Sequence, residues 1–443
     1  MVSGDTIFAL ATAVGRAGIA VFRLSGPEAG NALLAMTGAI RVPEARKAIR
    51  YRMVSPDTDE TLDDGMIIWF PGPKSLTGED VAELHIHGGT ATVDAIARAL
   101  SALPGLRPAE PGEFTKRAFL GGKIDLTAAE ALVDLVDAET EAQRRQAINQ
   151  MGGGLFDRLE AWRATLIDIL ARTEACIDFP DEDLPVEPVE LALAEVGLLA
   201  DEVCDFLADS HRGERLRNGL KVAIIGAPNA GKSTLLNALS AREVAIVSDT
   251  AGTTRDVIEV HLDLAGWPVT LADTAGLREA GDMIENEGVR RALARAADAD
   301  LRLIVFDGTK PPDAASIKQL TEFNAIAVLN KSDLGGFHPD LPEPVSAVRV
   351  SAKTGHCIED LLLLIQKSAI AQLQGATAPL TRMRHRQALE ECAECLARAQ
   401  RAKRSELIVE DLRLAVRALG RVTGRVDVEE ILDAVFGEFC IGK

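Results

Sequence analysis

Apolar residues follow three rhythms along the chain. Between residues 1 and 118 they form short runs: IFALAT (7–12), IAVFRL (19–24), MIIWF (66–70) and VAELHIH (81–87). Each run has strand length and is bounded by turn-forming residues, so each predicts a strand. Pro27 predicts a helix start that runs to Met36, and Thr90 to Leu103 predicts a second helix. This segment reads as α+β. From 119 to 217 the rhythm becomes helical, as in Leu126, Ala129, Leu132, Val133 and Val136. Gly152 to Gly154 interrupt it, and FPDEDLPVEP (179–188) predicts a loop between helices. From 218 to 374, apolar runs at 222–226, 257–264, 269–273, 301–307 and 325–330 alternate with helical patterns. That alternation predicts a mostly parallel sheet wrapped by helices. Residues 375–443 are helical again, from about Arg384. Helical sequence on both sides predicts that the α/β domain is inserted into a helical one, since domain termini often lie close together.

The inserted stretch carries the clearest chemistry. Residues 226–233 read GAPNAGKS, a GxxxxGK[ST] loop between a predicted strand and a predicted helix. That context defines a phosphate-binding P-loop. Its backbone N–H groups cradle phosphate oxygens across Asn229, Ala230, Gly231, Lys232, Ser233 and Thr234. Lys232 is expected at the β and γ phosphates and Ser233 at Mg²⁺. Residues 273–276 read DTAG: Asp273 suits the Mg²⁺ shell, Gly276 the γ phosphate, and Thr274 and Ala275 lie between them. Residues 330–333 read NKSD, giving Asn330, Lys331 and Asp333. The Asp333 carboxylate can accept two hydrogen bonds from guanine's ring N–H and amine, a donor pair that adenine lacks. Residues 351–353 read SAK (Ser351, Ala352, Lys353), and the Ala352 N–H can meet the guanine carbonyl. Four motifs in this order point to GTP.

Leu277 follows DTAG, where Ras-like enzymes carry a glutamine that orients the attacking water. Leucine has no hydrogen-bonding group, so another residue must do this. LREAGDMIENEG (277–288) offers Glu279, Asp282, Glu285 and Glu287, and spacing alone does not choose between them. SDTAGTTRD (248–256) offers Thr254 to Mg²⁺ and leaves Ser248, Thr250 and Thr253 as nearby oxygens, joined by Asn229. Clustered neutral oxygens beside a triphosphate suit a large monovalent cation, whose charge would replace an arginine finger. Arg255 or Arg278 as a finger is the competing idea.

Composition narrows the class. The 443 residues are 47% hydrophobic and 26% charged, with a net charge of −19. The length suggests two to four domains, and the acidity argues against coating nucleic acid by charge. No apolar run reaches membrane-helix length. The N-terminus lacks a basic region before its apolar residues, so it does not read as a secretory signal. Six scattered cysteines fit a reducing cytoplasm. Cys392 and Cys395 form a CxxC without a second pair, which reads as two thiols on a helix. The charge is uneven: residues 119–217 hold 22 acidic and 9 basic residues, while 382–404 hold 7 basic and 3 acidic. If the helical domain is discontinuous, its acidic and basic parts pack together. A local RNA site at the basic stretch stays open.

Together these motifs resemble the MnmE (also called TrmE) tRNA-modification GTPases. So do FPGPKSLTGEDVAELHIHGG (70–89), PGEFTKRAFLGGKIDLTAAEA (111–131), CIDFP (176–180) and the terminal FCIGK (439–443). The resemblance spans the whole chain. It implies an N-terminal folate-binding and dimerisation domain (1–118), a discontinuous helical domain (119–217 and 375–443) and an inserted Ras-like domain (218–374). It further implies a cytoplasmic homodimer that forms a heterotetramer with the flavoprotein MnmG (also called GidA), which brings the FAD. The pair would add an aminomethyl-type group to carbon 5 of the wobble uridine of tRNA, with a 5-formyl- or 5,10-methylene-tetrahydrofolate as one-carbon donor. GTP hydrolysis would require K⁺. Carried onto this sequence, the folate positions are Arg23, Glu83, Lys123 and Lys443. The K⁺ positions are Asn229, Ser248, Thr250 and Thr253, and the Mg²⁺ ligands Ser233 and Thr254. Glu285 becomes the water-activating residue and Cys440 the tail cysteine needed for modification. CIGK is not a prenylation box, since Gly442 is not aliphatic and Lys443 is not an accepted end. A ribosome-assembly GTPase is the rival reading, but the KH-like or second GTPase module it should carry is not evident.

Overall fold

The first strand, Thr6–Leu10, buries Ile7, Phe8 and Ala9 and lies next to the edge strand of the amino-terminal sheet. The computed structural model describes residues 4–442 apart from 179–186, 209, 243, 247–258, 274–298, 336–340, 342–346, 376–379, 427–431, 433–434, 438 and 440–441. It contains two compact units. One comprises Met1–Val133, Phe156–Arg163 and Val416–Lys443; the other comprises Asp134–Leu155 and Ala164–Ala415.

The first unit is built on six strands: β1 (Thr6–Leu10), β2 (Ala20–Ser25), β3 (Ile49–Val54), β4 (Thr61–Phe70), β5 (Val81–Ile86) and β6 (Leu106–Pro108). Their order is β3-β4-β5-β2-β1-β6, antiparallel except for β1 with β6. Alternation along β2 explains the layering. Ala20, Phe22 and Leu24 are buried, while Val21 and Arg23 point to the opposite face. The inner face packs on Leu33 and Met36 of helix Ala29–Thr37 and on Ile96 and Leu100 of helix Thr90–Ala102. Both helices fall where the sequence predicts them. Strand β3 was not predicted: IRYRMV alternates charge with apolar residues at the sheet edge and fully buries only Met53.

Residues from the far end of the chain complete this unit. Helix Leu126–Val136 presents Leu126, Ala129 and Val133 to Leu432, Val435, Phe436 and Phe439. Gly442 lies directly on the end of β1, with φ +100°. A Cβ there would stand 2.2 Å from the Leu10 carbonyl oxygen, so only glycine fits.

The second unit holds seven strands: β7 (Leu220–Ile225), β8 (Ala245–Ile246), β9 (Glu259–Leu264), β10 (Trp267–Asp273), β11 (Leu301–Asp307), β12 (Ala325–Asn330) and β13 (Ala347–Arg349). Their order is β13-β12-β11-β7-β10-β9-β8, and β7 and β10–β13 run parallel. Strand β11 is buried on both faces from Leu301 to Phe306, as a central parallel strand requires. The mostly parallel sheet agrees with the sequence reading.

The same unit joins the acidic and basic helical stretches. Asp134 accepts hydrogen bonds from Arg217 (2.7 Å) and Arg382 (3.0 Å), Arg386 donates to Glu214 (3.1 Å), and Arg413 donates to Glu174 (2.7 Å). Arg382 and Arg386 of the basic stretch are thus committed to carboxylates within the unit. Helix Glu141–Met151 opens with a capping box, Thr140 and Gln143 each bonding the other's backbone N–H. Its first turn also reaches the β9–β10 hairpin. The Ala142 N–H donates to the Gly266 carbonyl (3.0 Å), and His261 meets Glu139 at 2.7 Å.

Candidate functional site

The P-loop joins β7 to helix Lys232–Ser240, with Gly231 at the helix N-cap. Gly226 passes so close to β11 that a Cβ would stand 2.2 Å from the Val305 carbonyl oxygen. Asn229 is exposed in the left-handed region at φ +63°, and Ala230 is buried. Lys232 Nζ donates to the carbonyls of Gly226 (2.8 Å) and Ala227 (2.9 Å), which arches the ammonium over the loop. Ser233 and Thr234 are exposed in the first helical turn. Exposed hydroxyls and a cation at a helix N-terminus suit a Mg²⁺-bound polyphosphate.

Asn330 ties three motifs together. It is buried at the end of β12, its Nδ2 donates to the Ala230 carbonyl (2.9 Å), and its Oδ1 accepts from the Ala352 N–H (3.0 Å). P-loop, NKSD and SAK therefore share one side chain. The Ala352 N–H, read from sequence as a guanine contact, is given to Asn330 here. Ser351 Oγ donates to Asp333 Oδ1 (2.7 Å) and holds that exposed carboxyl below its ordinary range. Lys331 sits at φ +66° and bonds Asp307 at 2.8 Å. Burial pushes the Asp307 carboxyl up, but hydrogen bonds from Lys331 and Thr309 outweigh this and bring it down to about 2. Lys353 is exposed beside this cluster. Sequence reasoning misses Asp307: only the β11–β12 register sets it opposite Asn330 and beside Lys331.

The first unit holds a second polar cluster on the sheet face opposite helices Ala29–Thr37 and Thr90–Ala102, a face that Phe114 covers in part above Ile7 and Ala9. Arg23 and Glu83 are register partners on β2 and β5, and Arg23 Nε and Nη2 donate to Glu83 Oε1 at 3.2 and 3.0 Å. His85 Nε2 lies 3.2 Å from Glu83 Oε2. The Arg23 guanidinium stands 6.0 Å from the centroid of the buried Phe114 ring. Gly442 rests on Leu10, next to Ala9, the partner of Arg23 across the β1–β2 pairing. Lys123 does not join the pair: its Nζ donates to the Pro73 carbonyl on the β4–β5 loop.

Ser248, Thr250, Thr253, Thr254, Thr274, Ala275, Gly276, Glu285, Cys440 and Lys443 lie outside the described residues, and Asp273 is placed only as the last residue of β10.

The MnmE helical-domain family matches residues 126–440, and the family described as the GTP-binding protein TrmE N-terminus matches residues 6–123. The chain belongs to the MnmE family.

A tRNA modification GTPase MnmE from Rhodospirillum rubrum is 54% identical over 456 residues, covering 99% of each chain. One from Paramagnetospirillum magneticum is 55% identical, covering 99% of this chain and 100% of its own. Among solved structures, Aquifex aeolicus Era bound to GDP and aluminium fluoride is 27% identical over 40% of this chain and 66% of its own, at a TM-score of 0.27. The G domain of the T. maritima FeoB iron transporter is 25% identical over 35% of this chain and 99% of its own, at a TM-score of 0.26. The chain is thus a GTPase that acts in tRNA modification, with GTP and Mg²⁺ as the MnmE fold implies. No helix among the described residues is long and apolar enough to cross a membrane.

Proposed function

We propose that this chain couples GTP hydrolysis to addition of an aminomethyl-type group at carbon 5 of the tRNA wobble uridine, together with an MnmG-type flavoprotein. A tetrahydrofolate derivative, when bound, supplies the one-carbon unit, and FAD enters only through the partner. The observation that carries this reading is the Arg23–Glu83 pair on that sheet face of the first unit, with the chain's tail packed beside it at Gly442. Glu83 accepts the paired N–H donors of a pterin, as Asp333 does for guanine. Arg23 holds the Glu83 carboxylate at the pterin end, and Lys123 and Lys443 supply positive charge to the folate. Cys440 serves the modification itself.

In the Ras-like domain, Lys232 holds the β and γ phosphates, while Ser233 and Thr254 serve as Mg²⁺ ligands beside Asp273. Gly276 reaches the γ phosphate, and Glu285 takes the proton of the attacking water. Asn229, Ser248, Thr250 and Thr253 hold K⁺, which when bound supplies the charge of an arginine finger. Homodimerisation runs through the N-terminal domains, and hydrolysis accompanies association of two Ras-like domains. The working domain map keeps its boundaries at 118, 217 and 374, and the cytoplasm is the expected compartment.

Mass spectrometry of wobble uridines in a deletion strain tests the whole reading: the modification should vanish, and an unchanged spectrum would favour a ribosome-assembly switch. Hydrolysis should be many-fold faster in potassium than in sodium; equal rates would remove the cation from the scheme.

A further inference from the structure

On the face of the first sheet opposite its two helices, Glu83 is gripped from two directions. Arg23 places both of its donors, Nε and Nη2, on the single oxygen Oε1. Arginine facing a carboxylate ordinarily prefers the bidentate fork, one N–H to each oxygen. Here the second oxygen is engaged by His85 Nε2 instead. His85 follows Glu83 by two positions on β5, so both side chains share one face. Arg23, Glu83 and His85 are each about one-quarter exposed or less. The pair is framed by apolar neighbours: Val21 and Met66 are the register partners of His85, and Ile68 is that of Glu83. Met66 is 44% exposed, which leaves an apolar bed beside the charged cluster.

We infer that His85 is a positioning residue for the folate site, holding Glu83 rotated so that it can receive the ring's N–H pair. The inference rests on the reading above, in which Glu83 meets the pterin. A carboxylate has about four acceptor positions. The two Arg23 N–H groups converge on Oε1 from one side and His85 takes one direction at Oε2, so the far side of Oε1 and the second direction at Oε2 stay turned toward a donor pair. The terminal carboxylate torsion is soft. Without the His85 N–H, Oε2 turns toward Arg23, the fork closes, and Glu83 becomes an internal ion pair. The flat ring would then lie over Val21, Ile68 and Met66 with its donors unmatched. The sequence signal is the histidine in AELHIH (82–87), an alternation that reads as an ordinary half-buried strand.

Calorimetry of 5-formyltetrahydrofolate with the full-length chain tests this with four proteins: unaltered, His85→Leu, His85→Gln and Glu83→Gln. His85→Leu should weaken binding about 10- to 100-fold, the range for losing a hydrogen bond to a charged group. His85→Gln, which keeps an N–H donor, should recover most of that affinity, and Glu83→Gln should abolish binding. Binding by His85→Leu equal to the unaltered chain, with Glu83→Gln inactive, would overturn the role of His85 and leave the folate reading intact. Loss in His85→Gln as large as in His85→Leu would also overturn it, since the donor would then not matter. Unaltered binding by Glu83→Gln would reject the folate reading itself and this inference with it.

Discussion

A single amide organises the nucleotide pocket. Asn330 sits between the P-loop and the SAK motif and satisfies a buried carbonyl and a buried N–H at once. Replacing it with alanine leaves both without that partner. Asn330→Ala should therefore cost about 2–6 kcal/mol in urea unfolding, at about 1–3 kcal/mol for each of the two unsatisfied groups. Asp333 is placed to choose the base. Asp333→Asn exchanges one acceptor for a donor, so GTP affinity should fall at least about 100-fold. Binding should shift toward xanthosine triphosphate, whose ring offers a carbonyl where guanine has its amine; competition binding measures both. Asp307 gives a pH signature. Its carboxyl lies at about 2 in the folded protein, below the ordinary 3.8, so it stabilises the fold above about pH 4. That contribution fades as the pH falls toward 2. Denaturation midpoints of the unaltered chain and Asp307→Asn should differ at pH 6 and converge near pH 2; a constant gap would contradict the assignment.

At the scale of elements, the helix Glu141–Met151 and the β9–β10 hairpin are fastened together. The capping box at Thr140 fixes the helix start, and the Ala142 N–H then reaches the Gly266 carbonyl. Thr140→Ala should destabilise the chain by about 1 kcal/mol, the usual worth of an N-cap, read as a lower unfolding midpoint. The hairpin matters because its strands run between SDTAGTTRD and DTAG. Most elements here were legible in the sequence. Strands β7, β10, β11 and β12 are continuous apolar runs, and the P-loop announces its own turn and helix. Strand β3 was hidden because an edge strand can alternate arginine with apolar residues, and β8 was too short to carry a pattern. The hold of Asp307 on Lys331, and the meeting of Arg23 with the Glu83–His85 pair of β5, depend on which strands become neighbours. Local sequence does not encode that, although His85 stands in plain view within the motif. The resemblance names Arg23 and Glu83 as folate positions but does not pair them; β-periodicity alone puts each in a strand candidate and no further, and the pairing appears only in the fold.

At the scale of the molecule, the net charge of −19 conceals an internal match. Arg382 and Arg386 engage Asp134 and Glu214 from the acidic stretch, and Arg398 engages Asp411. A side chain held this way is a poor phosphate ligand, since a phosphate would have to displace a carboxylate already in place. Arg386→Ala should therefore lower the thermal midpoint while leaving tRNA retention in a gel shift within about twofold. A large loss of retention with an unchanged midpoint would reassign this arginine to RNA contact.

The first unit draws on residues 1–133, 156–163 and 416–443. During translation its opening strands leave the ribosome long before the segment that covers them. At roughly 5–20 residues per second, the intervening stretch of about 280 residues takes on the order of 15–60 s to make. Through that interval, the surface of Leu126, Ala129 and Val133 awaits Phe436 and Phe439, and the end of β1 awaits Gly442. The nascent amino-terminal sheet is therefore a natural client for a chaperone at the tunnel exit. A chain stalled before residue 416 should be degraded far faster than one stalled after the last residue.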